Sequence, residues 1–183
     1  MKERVLAFAR QEIHRTGYRF TMNELAKQLG MSTKTIYEWY PSKDALIDDI
    51  VQCAIDELKI KEAELAADVT LHPLQKLKKA LVLIPQDFQL FDLRRLNELQ
   101  RYYPEIWKKV DQLITEQWDG VLRIINEGIS TGTMRPFHSD LFIELYIGGL
   151  YRLMEQSSKG KMNKTLGEAL DEMVDILLNG IVK

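Results

Sequence analysis

Between Thr33 and Lys43 the chain gathers side chains suited to gripping a polyanion: the hydroxyls of Thr33 and Thr35, the ammonium groups of Lys34 and Lys43, and the rings of Tyr37 and Trp39. Short hydroxylated and cationic side chains at the start of a helix suit base edges and phosphate oxygens. The rings can stack on sugar or a thymine methyl and donate a hydrogen bond to phosphate. Lys43 is placed to add a phosphate contact. The chemistry implied is recognition of double-stranded DNA.

Reaction chemistry finds less support. Gly128-Ile129-Ser130-Thr131-Gly132 fits the G-x-S-x-G pattern of serine hydrolases, but that motif needs a strand before it and a helix after it. Here it follows the helical stretch 118–128, so Gly132 reads as a helix C-cap. No phosphate-cradling glycine loop occurs, and no acidic pair stands out from ordinary charged helix faces. Cys53 is the only cysteine, and His14, His72 and His138 are far apart without a second ligand at helical spacing, so neither a metal nor a cofactor is expected. The chain is read as a non-enzyme.

The elements that must position the DNA-contacting set are helices. Thr21-Met22-Asn23-Glu24 is a capping box, and Met22, Leu25, Ala26 and Leu29 follow as one apolar stripe that Gly30 ends. Ser32 caps a third short helix over 33–40 that Pro41 closes, with Ile36 and Tyr40 inward and Thr33, Lys34, Tyr37 and Trp39 outward. A first helix is expected over 2–16 and a long fourth over 43–67, with Leu46, Ile47, Ile50, Ala54 and Leu58 inward. Further helices are expected at about 74–84, 88–101, 104–130, 139–157 and 163–181. The fold class is all-α: a three-helix helix-turn-helix head over 1–47 and a helical sensing and dimerisation bundle over 48–183.

The formal net charge is −2, but residues 1–47 carry eight Lys/Arg against five Asp/Glu and the remainder carries 17 against 22. A basic head on an acidic body fits a DNA-contacting module joined to something kept off DNA. Residues 21–47, TMNELAKQLGMSTKTIYEWYPSKDALI, closely resemble the signature of TetR-family regulators: a threonine-initiated helix, A-x-x-x-G-[small or apolar]-S, a short helix ending in Tyr-x-[aromatic or His]-[aromatic], then x-x-Lys. The resemblance covers roughly the first 50 residues. It implies that Thr21, Ser32, Tyr37, Trp39 and Lys43 meet phosphate or backbone and that Thr33, Lys34 and Thr35 meet bases. Tyr40 departs from the family's common phenylalanine, and Trp39 from its frequent histidine.

The resemblance further implies a ligand-sensing body whose last two helices form a homodimer facing a pseudo-palindromic operator. Leu166, Leu170, Met173, Leu177 and Ile181 form one stripe for that interface, with Gly148-Gly149 as a close-packing site on the other helix. Phe88, Phe91, Trp118, Leu122, Tyr146 and Tyr151 could line a pocket of several hundred Å³ for a small apolar effector. Trp118 is placed midway along one long helix, with Ile114 and Leu122 a turn to either side. Two readings of the body remain: a small-molecule sensor, most simply of a repressor released by its effector, or a surface for a protein partner. No membrane-spanning stretch or signal-peptide core is present, which places the chain in the cytoplasm.

Overall fold

The computed structural model describes residues 1–88 and 92–179. Among these are ten α-helices, α1 (Lys2–Thr16), α2 (Met22–Leu29), α3 (Thr33–Trp39), α4 (Lys43–Ala67), α5 (Pro73–Leu81), α6 (Arg94–Tyr102), α7 (Pro104–Glu116), α8 (Asp119–Ser130), α9 (Ser139–Ser158) and α10 (Leu166–Asn179), with a 3-10 turn at Gln86–Phe88. Among the described residues there is no strand; Asp92 and Thr165 form an isolated antiparallel bridge. No helix among them is long and apolar enough to cross a membrane.

Local chemistry sets the helix ends of the head. Thr21 Oγ1 accepts from the Glu24 backbone N–H at 3.2 Å, while Glu24 Oε2 accepts from Thr21 N–H at 2.7 Å, so the capping box starts α2. Gly30 ends it in the left-handed conformation, φ 64° and ψ 32°, and Met31 N–H returns to Ala26 O at 2.9 Å. Ser32 and Ser42 cap α3 and α4 through Thr35 N–H and Ala45 N–H. Val5, Ala9 and Ile13 of α1, Leu25 and Ala26 of α2, and Ile36 of α3 then close over Leu46, Ile47 and Ile50 at the start of α4.

The body packs α5 on α8, α6 on α7 and α9, and α9 on α10, with α4 against α5 and α7. Helix α4 changes partners along its length: after the head-facing residues, Val51, Ala54, Ile55 and Leu58 turn towards the interior of the body. Three expected boundaries move, the first being the end of α5 at Leu81 and not near residue 84. Helix α6 starts at Arg94 and not near residue 88, and α10 starts after a second capping box, Thr165 with Glu168, and not at residue 163.

The single helix expected over 104–130 is two helices. Gln117 leaves the helical region with ψ 64°, and the Trp118 indole Nε1–H donates to Ile114 O at 2.8 Å, capping the end of α7 with a side chain. Trp118 therefore opens α8 and does not lie midway along a longer helix.

Candidate nucleic-acid interface and body cavity

The two short helices α2 and α3 pack against each other across Gly30, the arrangement of a helix-turn-helix. Ile36 is fully buried and Tyr40 nearly so, which fixes the outward face of α3. Lys34, Tyr37 and Ser32 are exposed on that face, Tyr37 by 46%; Thr33, Thr35 and Trp39 are half-buried, and Trp39 packs partly on the core. The second helix thus presents hydroxyls, one free-standing ammonium group and a ring to solvent within two turns, a surface fitted to the major groove.

Four of the expected contact residues, Thr21, Ser32, Thr35 and Lys43, are already engaged inside the chain. The Thr21 hydroxyl donates to Glu24 Oε2 at 3.0 Å as well as capping α2, and the Thr21 backbone N–H bond to the same oxygen, followed by this hydroxyl bond, holds the Glu24 carboxyl below its ordinary pKa. Ser32 Oγ caps α3 and shares a 2.8 Å hydrogen bond with Thr35 Oγ1. Lys43 Nζ donates to Tyr18 O at 2.5 Å and lies 4.4 Å from the centre of the Phe20 ring. Burial pulls its pKa down, against the opposing pull of Asp44 and Glu24. A phosphate contact by Lys43 would first have to release Tyr18 O.

The first three helices and the turns between them are tied to α4, to α6 and to the junction of α6 with α7 by contacts far apart in sequence. Tyr40 Oη donates to Asp49 Oδ2 at 2.7 Å, and Lys2 Nζ reaches the same oxygen at 3.0 Å. Burial works against the Asp49 carboxylate, yet these hydrogen bonds and the Lys2 charge hold its pKa below the ordinary value. The Arg95–Glu98 pair of α6 covers Gly17, and Arg95 Nη2 donates to His14 O at 3.5 Å. The Tyr18 ring tilts against Tyr103, centroids 5.5 Å apart, and burial with the nearby Asp44 charge pushes Tyr103 up to about 12.

A cavity of about 180 Å³ lies between α4, α5, α6, α7, α8, α9 and α10, and Tyr18 of the head forms part of its wall. It is smaller than the several hundred Å³ expected. Phe88, Trp118 and Tyr146 line it as anticipated, and the last two rings meet edge to face with centroids 5.2 Å apart. Leu122 and Tyr151 do not line it. The helix break at Gln117 shifts the phase of α8 so that Val121 takes the inward position, and the Tyr151 hydroxyl is tied to Asp111 of α7. Phe91 lies outside the described residues.

The expected dimer stripe is corrected in the same way. Leu166 and Leu170 are buried within the protomer and line the cavity, and Met173 packs inside the chain on Gly149, where a Cβ would sit 2.7 Å from its Sδ. Small size at Gly149 therefore admits α10 of the same chain. The apolar face left outward consists of Leu141 (59% exposed) and Leu145 (56%) on α9 and Ile176 (73%) on α10, with half-buried Leu177 beside them and Gly148 open. Ile181 lies outside the described residues. Ser130 ends α8 and its hydroxyl donates to Glu127 O, so the G-x-S-x-G segment is a helix terminus followed by the positive-φ turn of Gly132.

Residues 5–50 match the family model described as bacterial regulatory proteins, tetR family. The chain is 37% identical over 181 residues, 99% of this chain and 95% of the other, to the uncharacterized HTH-type transcriptional regulator YvaF of Bacillus subtilis (strain 168). Its fold is similar to a transcriptional regulator from Cytophaga hutchinsonii ATCC 33406, with TM-score 0.72, 18% identity and coverage of 99% and 98% of the two chains. It is also similar to SmeT, the repressor of the Stenotrophomonas maltophilia multidrug efflux pump SmeDEF, with TM-score 0.69, 16% identity and coverage of 100% and 91%. With the helix-turn-helix geometry and full-length kinship to one regulator in agreement, the chain belongs to the TetR family of bacterial transcriptional regulators.

Proposed function

We propose that the protein is a ligand-responsive, sequence-specific repressor that leaves its operator when a small molecule occupies the body cavity. The observation carrying this reading is the composition of the cavity wall: α4, which runs on from the recognition helix, and Tyr18 of the head both contribute to it. A ligand that prefers a different spacing of these walls would move the head, which is the differential affinity regulation requires. A cavity walled almost entirely by apolar side chains, with a polar mouth, supports a small-molecule effector over a protein partner. The activity is binding, exercised on DNA in the cytoplasm, with no reaction.

The functional unit is a homodimer joined through the outward face of Leu141, Leu145, Gly148 and Ile176, which would present two α3 helices to the half-sites of a pseudo-palindromic operator. On each half-site Thr33, Lys34 and Thr35 read bases, while Tyr37 and Trp39 hold the backbone, joined by Thr21, Ser32 and Lys43 if they exchange Glu24, Thr35 and Tyr18 O for phosphate. Selection of binding duplexes from a random pool tests this: an inverted repeat should be enriched, and small apolar compounds that raise the melting temperature should release it. Enrichment of single unpaired half-sites, or ligands that stabilise the protein without releasing DNA, would refute the respective part.

A further inference from the structure

The cavity carries charge information beyond its size. Two of the polar hydrogens in its lining are spent within the protein: Tyr146 Oη donates to Leu81 O at 2.6 Å and Trp118 Nε1 to Ile114 O. Among the described residues its lining holds no lysine, arginine or histidine, and one carboxylate, Glu62, which stands with the Gln117 amide at the solvent-exposed mouth. Glu62 makes no hydrogen bond or ion pair among the described residues. The nearby Glu57, by contrast, takes both Lys61 Nζ at 2.6 Å and the Gln86 backbone N–H at 3.0 Å. Partial burial raises the Glu62 pKa, with Lys59 opposing, as suits a carboxylate lacking a close cation.

Resting on the reading of the cavity as an effector site, we propose that the effector is a compact apolar molecule with a cationic end group that docks against Glu62 at the mouth. Size fits the body of such a molecule, since a cavity of roughly 150 Å³ lined by aliphatic and aromatic side chains accepts a benzene ring. Charge fits its end. An ammonium group meets the one unpaired carboxylate of the lining, whereas a carboxylate or phosphate would meet a like charge with no cation among the described lining residues to offset its desolvation.

Phenylbutylamine, phenylbutanol and phenylbutyrate share one body and differ only in the end group, and calorimetric titration of the full chain with each at neutral pH tests the assignment. The amine should bind about two- to fivefold tighter than the alcohol, the strength of a partly exposed ion pair, and the carboxylate weakest. Glu62→Gln should make amine and alcohol equal, while Glu64→Gln, on the same helix but off the cavity, should leave the ratio intact. A carboxylate that binds as well as the amine, or a preference that survives Glu62→Gln, overturns the proposal while leaving the cavity reading in place. If even the alcohol fails to bind at millimolar concentration, the effector-site reading falls with it.

Discussion

Gly17→Ala examines the clamp between head and body at its tightest point. Gly17 has φ 78° and ψ −159°, a region essentially restricted to glycine, so alanine costs about 1–3 kcal/mol in backbone strain alone. Its Cβ would lie 2.2 Å from Glu98 Oε2 and 2.4 Å from Arg95 Nη1, so the pair must swing away. That pair is only 16% and 25% exposed, and losing it together with the Arg95 bond to His14 O adds about 1 kcal/mol. The total, about 3 kcal/mol, should lower the melting midpoint by roughly 6–12 °C in a chain of this size. Calorimetry of Gly17→Ala, Glu98→Ala and the double variant separates the terms. The double variant should be less destabilised than the sum, because the clash is gone and the strain remains. A Gly17→Ala protein that melts within a degree of wild type, or strictly additive variants, would show that α6 does not press on the end of α1.

Lys34→Ala should cost about 1–3 kcal/mol on the selected duplex and much less on a scrambled one, as measured by fluorescence anisotropy at fixed salt; equal losses on both would assign Lys34 to phosphate. The folded pKa of Asp49 lies below its ordinary 3.8, so its stabilisation is complete above that value and is lost as the pH falls through the lower folded value. The melting gap between wild type and Asp49→Asn should therefore stay constant from neutral pH to about 5 and close in stronger acid; a gap that widens on acidification would reverse the sign. Leu145→Arg, at an exposed position of α9, should leave the protomer folded while sedimentation falls from twice 21.3 kDa to that mass. An unchanged dimer would move the interface elsewhere.

The head was readable because each of its boundaries is written locally. Thr21 with Glu24, Gly30, Ser32 and Pro41 each specify a cap or a stop within four residues, and Ile36 and Tyr40 fall inward as their spacing requires. The break at Gln117 has neither glycine nor proline at the break itself, and the Trp118 that caps α7 there meets Tyr146 of another helix. Helix α10 is apolar on two sides, and periodicity alone does not say which side meets the same chain; Leu166 and Leu170 turned inward and Ile176 outward. The contacts of Arg95 with His14 and of Lys43 with Tyr18 join residues far apart in sequence between helices of ordinary composition, so nothing near either residue announces them.

Tyr18 lines the body's cavity although it belongs to the segment that carries DNA recognition, and its carbonyl holds Lys43 at the start of α4. Heads and bodies of this protein are therefore not interchangeable parts. A chimera that grafts another regulator's first 47 residues onto this body would replace a piece of the chamber wall along with the reading helix. The graft would alter which molecules fit, even with every body residue unchanged. The reverse exchange would leave Tyr18 facing a foreign surface and remove the packing that orients the carbonyl bound by Lys43. Altering DNA preference while keeping the chamber intact would require substitutions confined to the outer face of α3, where Lys34 and Tyr37 stand clear of both the core and the chamber.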